Sequence, residues 1–380
     1  MHNIVYAEGR LCRFAGTDSN DIHKEMIRLF NGFVPSVENA KASRGLFRFA
    51  APFAGLFLGL SLLLSACGGG AGSSGEVGKA GTAGADTAST VKTKGITLRI
   101  GYQKYGTINI LKADGGLDKK LAEQSIKIEW TEFPGGPQLL EALNVGSIDI
   151  GHTGEAPPIF AQAAGAPLVY LAHEPASPKS EGILVPKDSK IQSVADLKGK
   201  KVALNKGSNV HYLLVKLLEK AGVAYSDITT VYLPPADARA AFESGKVDAW
   251  VIWDPFLAAA QTATGAKLLA DGTDIVSNYE FYLAARPFAE KYPDIVKTLL
   301  EEANKIDEWA KNNQKALAEK LSPQLGIDVP SLELAAGRRP YGVQPIDQAV
   351  IDAQQKIADT FRKLELIPKD IKITDAILKP

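Results

Sequence analysis

From Ile96 onward the chain alternates short apolar runs with stretches whose apolar residues recur every three or four positions. The runs Thr97–Ile100, Ile126–Trp130, Leu168–Leu171, Lys201–Leu204 and Thr230–Leu233 read as strands. Between them the spacing predicts helices over Pro137–Val145 and His211–Ala221, the second carrying Leu213, Leu214, Leu217, Leu218 and Ala221 on one face. Longer helical patterns follow at Pro293–Glu319 and Asp347–Leu364. Strands alternating with helices of this length build an α/β protein with largely parallel sheets.

One pattern occurs twice. Ala142-Leu143-x-x-Gly146-x-Ile148-Asp149-Ile150 returns 99 residues later as Ala241-Phe242-x-x-Gly245-x-Val247-Asp248-Ala249. In each copy a helix is expected to end at a left-handed glycine and a short strand to follow, which implies two similar lobes. His152-Thr153-Gly154-Glu155 and Trp253-Asp254-Pro255 then fall beyond the carboxyl ends of those strands, where open α/β sheets bind ligands.

The first 94 residues follow another logic. Residues 1–48 are an N-terminal extension that ends in a basic region with Lys41, Arg44 and Arg48; an apolar run covers 49–66 and stops at Cys67. As a helix that run would be about 27 Å long, marginal for a membrane span, and Pro52, Gly55 and Gly59 weaken it further. Leu64-Ser65-Ala66-Cys67 resembles the bacterial lipoprotein box, which implies cleavage and lipidation at Cys67. Residues 67–94 continue as a Gly, Ser, Ala and Thr linker with little apolar area to bury, a tether for a body held near a membrane. Met26 offers a later start, and residues 1–25 are assigned no function.

Charge and cysteine narrow the class. With 43 basic and 43 acidic side chains among 380 residues, the chain has no polycationic character with which to neutralise phosphates, so nucleic acid is not the expected partner. Both cysteines, Cys12 and Cys67, precede the folded body, which argues against a disulfide framework, a thiolate metal site or cysteine nucleophile chemistry there.

The loops after the strands are the candidate chemistry. Gly101-Tyr-Gln-Lys104 with Thr107 follows the first strand, and Lys206-Gly207-Ser208-Asn209 leads into a helix, where free N–H groups and the positive dipole end suit an anion. Ser208 or Asn209 acting simply as an N-cap is the competing reading. Asp237 reads as another N-cap, with Arg239 in the first turn of its helix, where a cation needs an anion to face, from a ligand or from a neighbouring carboxylate. Trp250 reads as core, whereas Trp253 offers an apolar wall to a ligand's carbon chain. His152, Glu155, His173 and Glu174 lack a metal-ligand spacing, His211 reads as a capping or packing residue, and no triad motif is present.

Several segments carry a resemblance: Gly101-Tyr-Gln-Lys104, the run from Glu132 to Asp149 that opens Glu-Phe-Pro-Gly-Gly-Pro-Gln, Gly154-Glu-Ala-Pro-Pro-Ile-Phe160, Pro235-Ala-Asp-Ala-Arg239, Val247-Asp-Ala-Trp-Val-Ile-Trp-Asp-Pro255 and Phe281-Tyr-Leu-Ala-Ala-Arg-Pro287. Over about residues 96–375 the chain resembles the aliphatic sulfonate-binding proteins of ABC transporters. The resemblance implies a two-lobed type II periplasmic-binding fold, each lobe a mixed sheet flanked by helices, with lobe I at 95–184 plus 286–380, lobe II at 185–285 and the ligand cleft between them. It implies sulfonate contacts from Gln103, Thr107, Thr153, Gly154, Glu155, Ser208, Asn209, Arg239 and Trp253. Two positions depart from the family pattern: Gly207-Ser208-Asn209 has fewer hydroxyls than usual, and Glu155 stands where an Asp is common.

The function so implied is a monomeric, lipid-anchored periplasmic receptor that captures an alkanesulfonate and hands it to a membrane permease driven by an ATPase, without cofactor, metal or catalysis. Taurine, nitrate and bicarbonate are the rival ligands on the same fold. Sulfinate desulfinases and pyrimidine-precursor synthases are the enzymes that resemble it; the desulfinase route needs a cleft cysteine, and the body has none.

Overall fold

The computed structural model describes residues 4–7, 10–13 and 95–378. The apolar run at 49–66, Cys67 and the linker lie outside these residues. The first two segments form an antiparallel hairpin, β1 (Ile4–Ala7) with β2 (Arg10–Arg13), taken here by itself.

The body from Gly95 holds two five-stranded mixed sheets of the same design. Sheet I is ordered β4 (Lys127–Glu132), β3 (Thr97–Tyr102), β5 (Ile150–Gly154), β12 (Glu280–Ala285), β6 (Leu168–His173). Sheet II is ordered β9 (Thr229–Tyr232), β8 (Lys201–Leu204), β10 (Ala249–Trp253), β7 (Glu181–Val185), β11 (Lys267–Asp271). In each, the first three strands pair in parallel and the last two antiparallel. The fourth strand of each sheet is the one the chain forms on arriving from the other lobe. By sheet membership the crossing strands fall differently from the expected bounds: residues 181–184, expected in lobe I, pair within sheet II together with Val185, and Glu280–Ala285, expected in lobe II, pairs within sheet I. The cause is that a strand's own pattern carries no information about which sheet it will join.

Strand periodicity divides the core of each lobe into two layers. Tyr282 and Ala284 face the layer that holds Leu299, Leu317 and Leu332, while Phe281 and Leu283 face the layer that holds Leu139, Ile159 and Phe361. In lobe II, Ala249 and Val251 pack beneath Leu213, Leu214, Leu217 and Leu218, while Trp250 and Ile252 face Phe242 and Leu257. The long pattern expected over Pro293–Glu319 is two helices, Pro293–Asn312 and Gln314–Leu325, because Asn313 leaves the helical conformation and turns its side-chain amide back to Trp309 O at 2.8 Å.

The repeated motif is realised in both lobes. Each helix ends before a glycine with positive φ, Gly146 at 72° and Gly245 at 69°. Asp149 and Asp248 then each exchange two hydrogen bonds with the neighbouring parallel strand: the carboxylate accepts Arg99 N–H at 2.8 Å or Lys201 N–H at 2.7 Å, and the aspartate N–H donates back to Arg99 O or Lys201 O at 2.8 Å.

Candidate functional site

The helices Thr107–Asp114, Gly136–Asn144 and Asn209–Lys220 all begin after carboxyl ends of strands, and their first turns carry N–H groups free of helical partners. Glycine lets the lobes meet there. A methyl group added to Gly154 of lobe I would come within 2.9 Å of the Asn209 side chain of lobe II, and one added to Gly135 within 2.5 Å of Asn205 Nδ2.

Two cavities flank this contact. The first is a narrow space lined mainly by polar residues, with Gln103, Gly154, Glu174, Asn209, Trp253 and Arg339 in its wall. Gln103 donates to His152 O at 3.1 Å, which turns its amide along the floor. Asn209 donates from one amide nitrogen to Glu181 Oε2 at 2.6 Å and to Asn278 Oδ1 at 2.8 Å, joining helix, strand and crossover. Behind this wall lies a buried ion network. Arg339 Nη2 meets Glu174 Oε2 at 2.6 Å, and the other Glu174 oxygen lies 2.9 Å from His152 Nε2 and accepts from Tyr282 OH at 3.1 Å. Burial alone would raise the Glu174 carboxyl; Arg339 and His152 overcome that and hold it well below the usual carboxylate range.

The second, more open cavity lies on the other flank between Pro137, Leu140 and Phe160 of lobe I and Gly207, Tyr232 and Pro234 of lobe II. Beside the start of the helix Gly136–Asn144 two buried donors have no partner, the hydroxyl of Thr153 from lobe I and the amide nitrogen of Asn205 from lobe II, and the acceptor Gln138 Oε1 close to Asn205 has none either. The Thr153 oxygen lies against the Cα of Gly136, where the helix Gly136–Asn144 starts. A ligand bearing several acceptor oxygens would satisfy both groups and the helix N–H groups together.

Of the residues expected to hold a ligand, Gln103, Gly154, Asn209 and Trp253 border the first cavity, and Thr153 presents its free hydroxyl beside Gly136. The others are placed elsewhere. Thr107 is buried in lobe I, its hydroxyl donating to Asp307 Oδ1 at 2.7 Å and accepting from Arg339. The Ser208 hydroxyl donates to Asn205 O at 2.7 Å and caps no helix N–H. Glu155 turns toward the second crossover, where Oε2 accepts Tyr279 N–H at 3.0 Å, and burial pushes its carboxyl up to about 7. Arg239 lies on the exposed face of its helix, Nε 2.7 Å from Glu243 Oε1, so the neighbouring carboxylate is its anion. Asp237 is in the first turn after the N-cap Pro234 rather than being the cap itself. His211 packs at the helix start, accepting Gly207 N–H on Nδ1 at 3.2 Å; burial lowers its pKa to about 4.

Sequence reasoning passed over Asn205, although it is the residue after the strand Lys201–Leu204 and a strand-end position was already the criterion. Arg339 carried no local signal, since its partners Glu174 and Thr107 are 165 and 232 positions away. No group of three or more His, Cys, Asp or Glu suited to a metal occurs among the described residues.

A family model described as NMT1/THI5 like matches residues 121–316. A protein of Escherichia coli (strain K12), named provisionally for aliphatic sulfonate binding, is 47% identical over 286 residues, 74% of this chain and 89% of its own length. Among solved structures, the alkanesulfonate-binding protein SsuA from Xanthomonas axonopodis pv. citri bound to MOPS is similar at TM-score 0.72 and 42% identity, covering 76% of this chain and 99% of its own. The periplasmic aliphatic sulphonate binding protein SsuA from Escherichia coli is similar at TM-score 0.68 and 46% identity, covering 75% and 92%.

Proposed function

The chain belongs to the family of aliphatic sulfonate-binding proteins with the two-lobed periplasmic-binding fold, and from that premise we propose that its interlobe cleft closes on the head group of an alkanesulfonate. It does so as the periplasmic capture component of an ABC transporter, delivering the ligand to the membrane permease. The observation that carries the reading is the pair of partnerless buried groups, Thr153 Oγ1 and Asn205 Nδ2, set on opposite lobes beside the start of the helix Gly136–Asn144. A sulfonate stays ionised at physiological pH and spreads its charge over three acceptor oxygens, so donors from both lobes and a helix N-terminus suit it. Contacts made to both lobes at once exist only in the closed state, and ligand binding therefore shifts the population toward closure.

Binding without chemistry fits the composition of the body, which contains no cysteine to serve as a cleft nucleophile. We also take the protein to act as a monomer held to the membrane by a lipid on Cys67, with residues 67–94 as tether.

The test is isothermal titration of the protein with ethanesulfonate, hexanesulfonate, taurine, nitrate, bicarbonate and sulfate. Dissociation constants in the micromolar range or tighter, about −8 kcal/mol or better, for the alkanesulfonates alone support the reading. Preferential binding of taurine, nitrate or bicarbonate reassigns the ligand.

A further inference from the structure

The two flanks of the cleft differ in what they can hold. Around the first cavity Glu174, Glu280, Asp254 and Arg339 bring charge to the wall, and Ser177, Ser180 and Asn278 bring polar groups. A carbon tail laid there would strip water from charged groups and return no hydrogen bonds. The second cavity offers more carbon, with Pro137, Leu140, Pro157 and Phe160 from lobe I and Tyr232 and Pro234 from lobe II; its charged residues, Glu141 and Lys206, are exposed. Tyr232 is among the few large apolar side chains left exposed on the described surface. Its ring is braced, since its hydroxyl pairs with Tyr225 OH at 3.1 Å and Lys206 Nζ sits 5.3 Å from its centroid. Phe160 opposite is fixed against Phe361 with centroids 4.9 Å apart. The cavity is also continuous with the proposed head site, because Asn205, which owns one partnerless donor, lines it.

The geometry points to a tail subsite in this second cavity: the carbon chain or ring of the bound sulfonate runs from the Thr153–Asn205 head site between Phe160 and Tyr232, away from Trp253. The inference rests on the sulfonate reading of the head site. It makes the preferred ligand a sulfonate with a bulky apolar tail, of ring size or about six carbons, rather than methane- or ethanesulfonate. While successive methylenes remain inside, affinity should rise about fourfold for each, the equivalent of about 0.8 kcal/mol.

The experiment measures the ratio of hexanesulfonate to ethanesulfonate affinity by titration of the full-length protein, its Ala161→Trp and Tyr232→Ala variants, and Trp253→Ala. Ala161 is half-exposed on the cavity wall, so tryptophan there fills the space from the surface. The expected result is a wild-type ratio of tenfold or more that falls toward one in Ala161→Trp, drops in Tyr232→Ala and persists in Trp253→Ala. A ratio near one in the wild type overturns the tail subsite while leaving the sulfonate reading intact, as does a ratio that collapses only in Trp253→Ala. Failure of every sulfonate to bind overturns the head-site reading on which the subsite rests.

Discussion

The two copies of the repeat build the same scaffold and then diverge at its carboxyl end. Asp149 and Asp248 clamp adjacent strands with the same pair of backbone hydrogen bonds. The strands end at the corresponding residues Gly154 and Trp253, followed by Glu155 and Asp254. Glycine in lobe I lets Asn209 of lobe II approach, whereas Trp253 in lobe II borders the first cavity. The paired carboxyls also part ways. Glu155 is bonded by a backbone N–H of the crossover and is raised by burial to about 7; Asp254 accepts Ala258 N–H at 3.0 Å and meets Arg338 of lobe I at 3.2 Å, with burial raising it to about 6. The copies share the frame and differ in the side chains at its carboxyl end.

The largest effect is expected at the Arg339–Glu174 pair, which unlike the Arg338–Asp254 pair also ties in His152 and Tyr282. Replacing Arg339 with Ala strands a buried carboxylate and should cost about 3–5 kcal/mol in urea unfolding. Glu155 should impose a pH dependence of nearly that size. Its folded pKa, about 7, lies above the unfolded value of 4.5, so its contribution is complete below pH 4.5 and is lost as the pH rises to 7. Glu155→Gln should therefore remove about 3 kcal/mol of the loss in stability between pH 4.5 and 7, read from urea midpoints at each pH.

The two clamps should separate under mutation. Asp149 is buried and takes the Arg99 guanidinium as well as the backbone, so Asp149→Ala should cost about 2 kcal/mol; Asp248 is exposed, and Asp248→Ala should cost about half that. The smallest effect is expected at Arg239, whose exposed pair with Glu243 is worth about 0.3–0.5 kcal/mol. Arg239→Ala should leave sulfonate affinity unchanged by titration.

Much of the frame was legible because it is local. The strand runs, the leucine face of the helix Asn209–Lys220 and the glycine-terminated repeat each declare themselves within a dozen residues. Gln103, Gly154, Asn209 and Trp253 could be placed at the cleft because strand-end positions follow from topology. What the sequence concealed is non-local or rotational. Arg339 reaches its partners from a distant helix end, and the sheet membership of Glu181–Val185 and Glu280–Ala285 depends on pairing across the whole body. Arg239 sits in the helical turn expected of it, but its side chain emerges on the outer face beside Glu243, a direction that charge and position near a helix start do not determine.

The most direct test of the sulfonate site is the Thr153→Val protein, which keeps the shape of the side chain and removes a hydroxyl that has no partner inside the fold. Alkanesulfonate affinity, measured by titration, should fall about tenfold while the urea midpoint is unchanged or rises. Affinity equal to that of the unmodified protein would contradict the account.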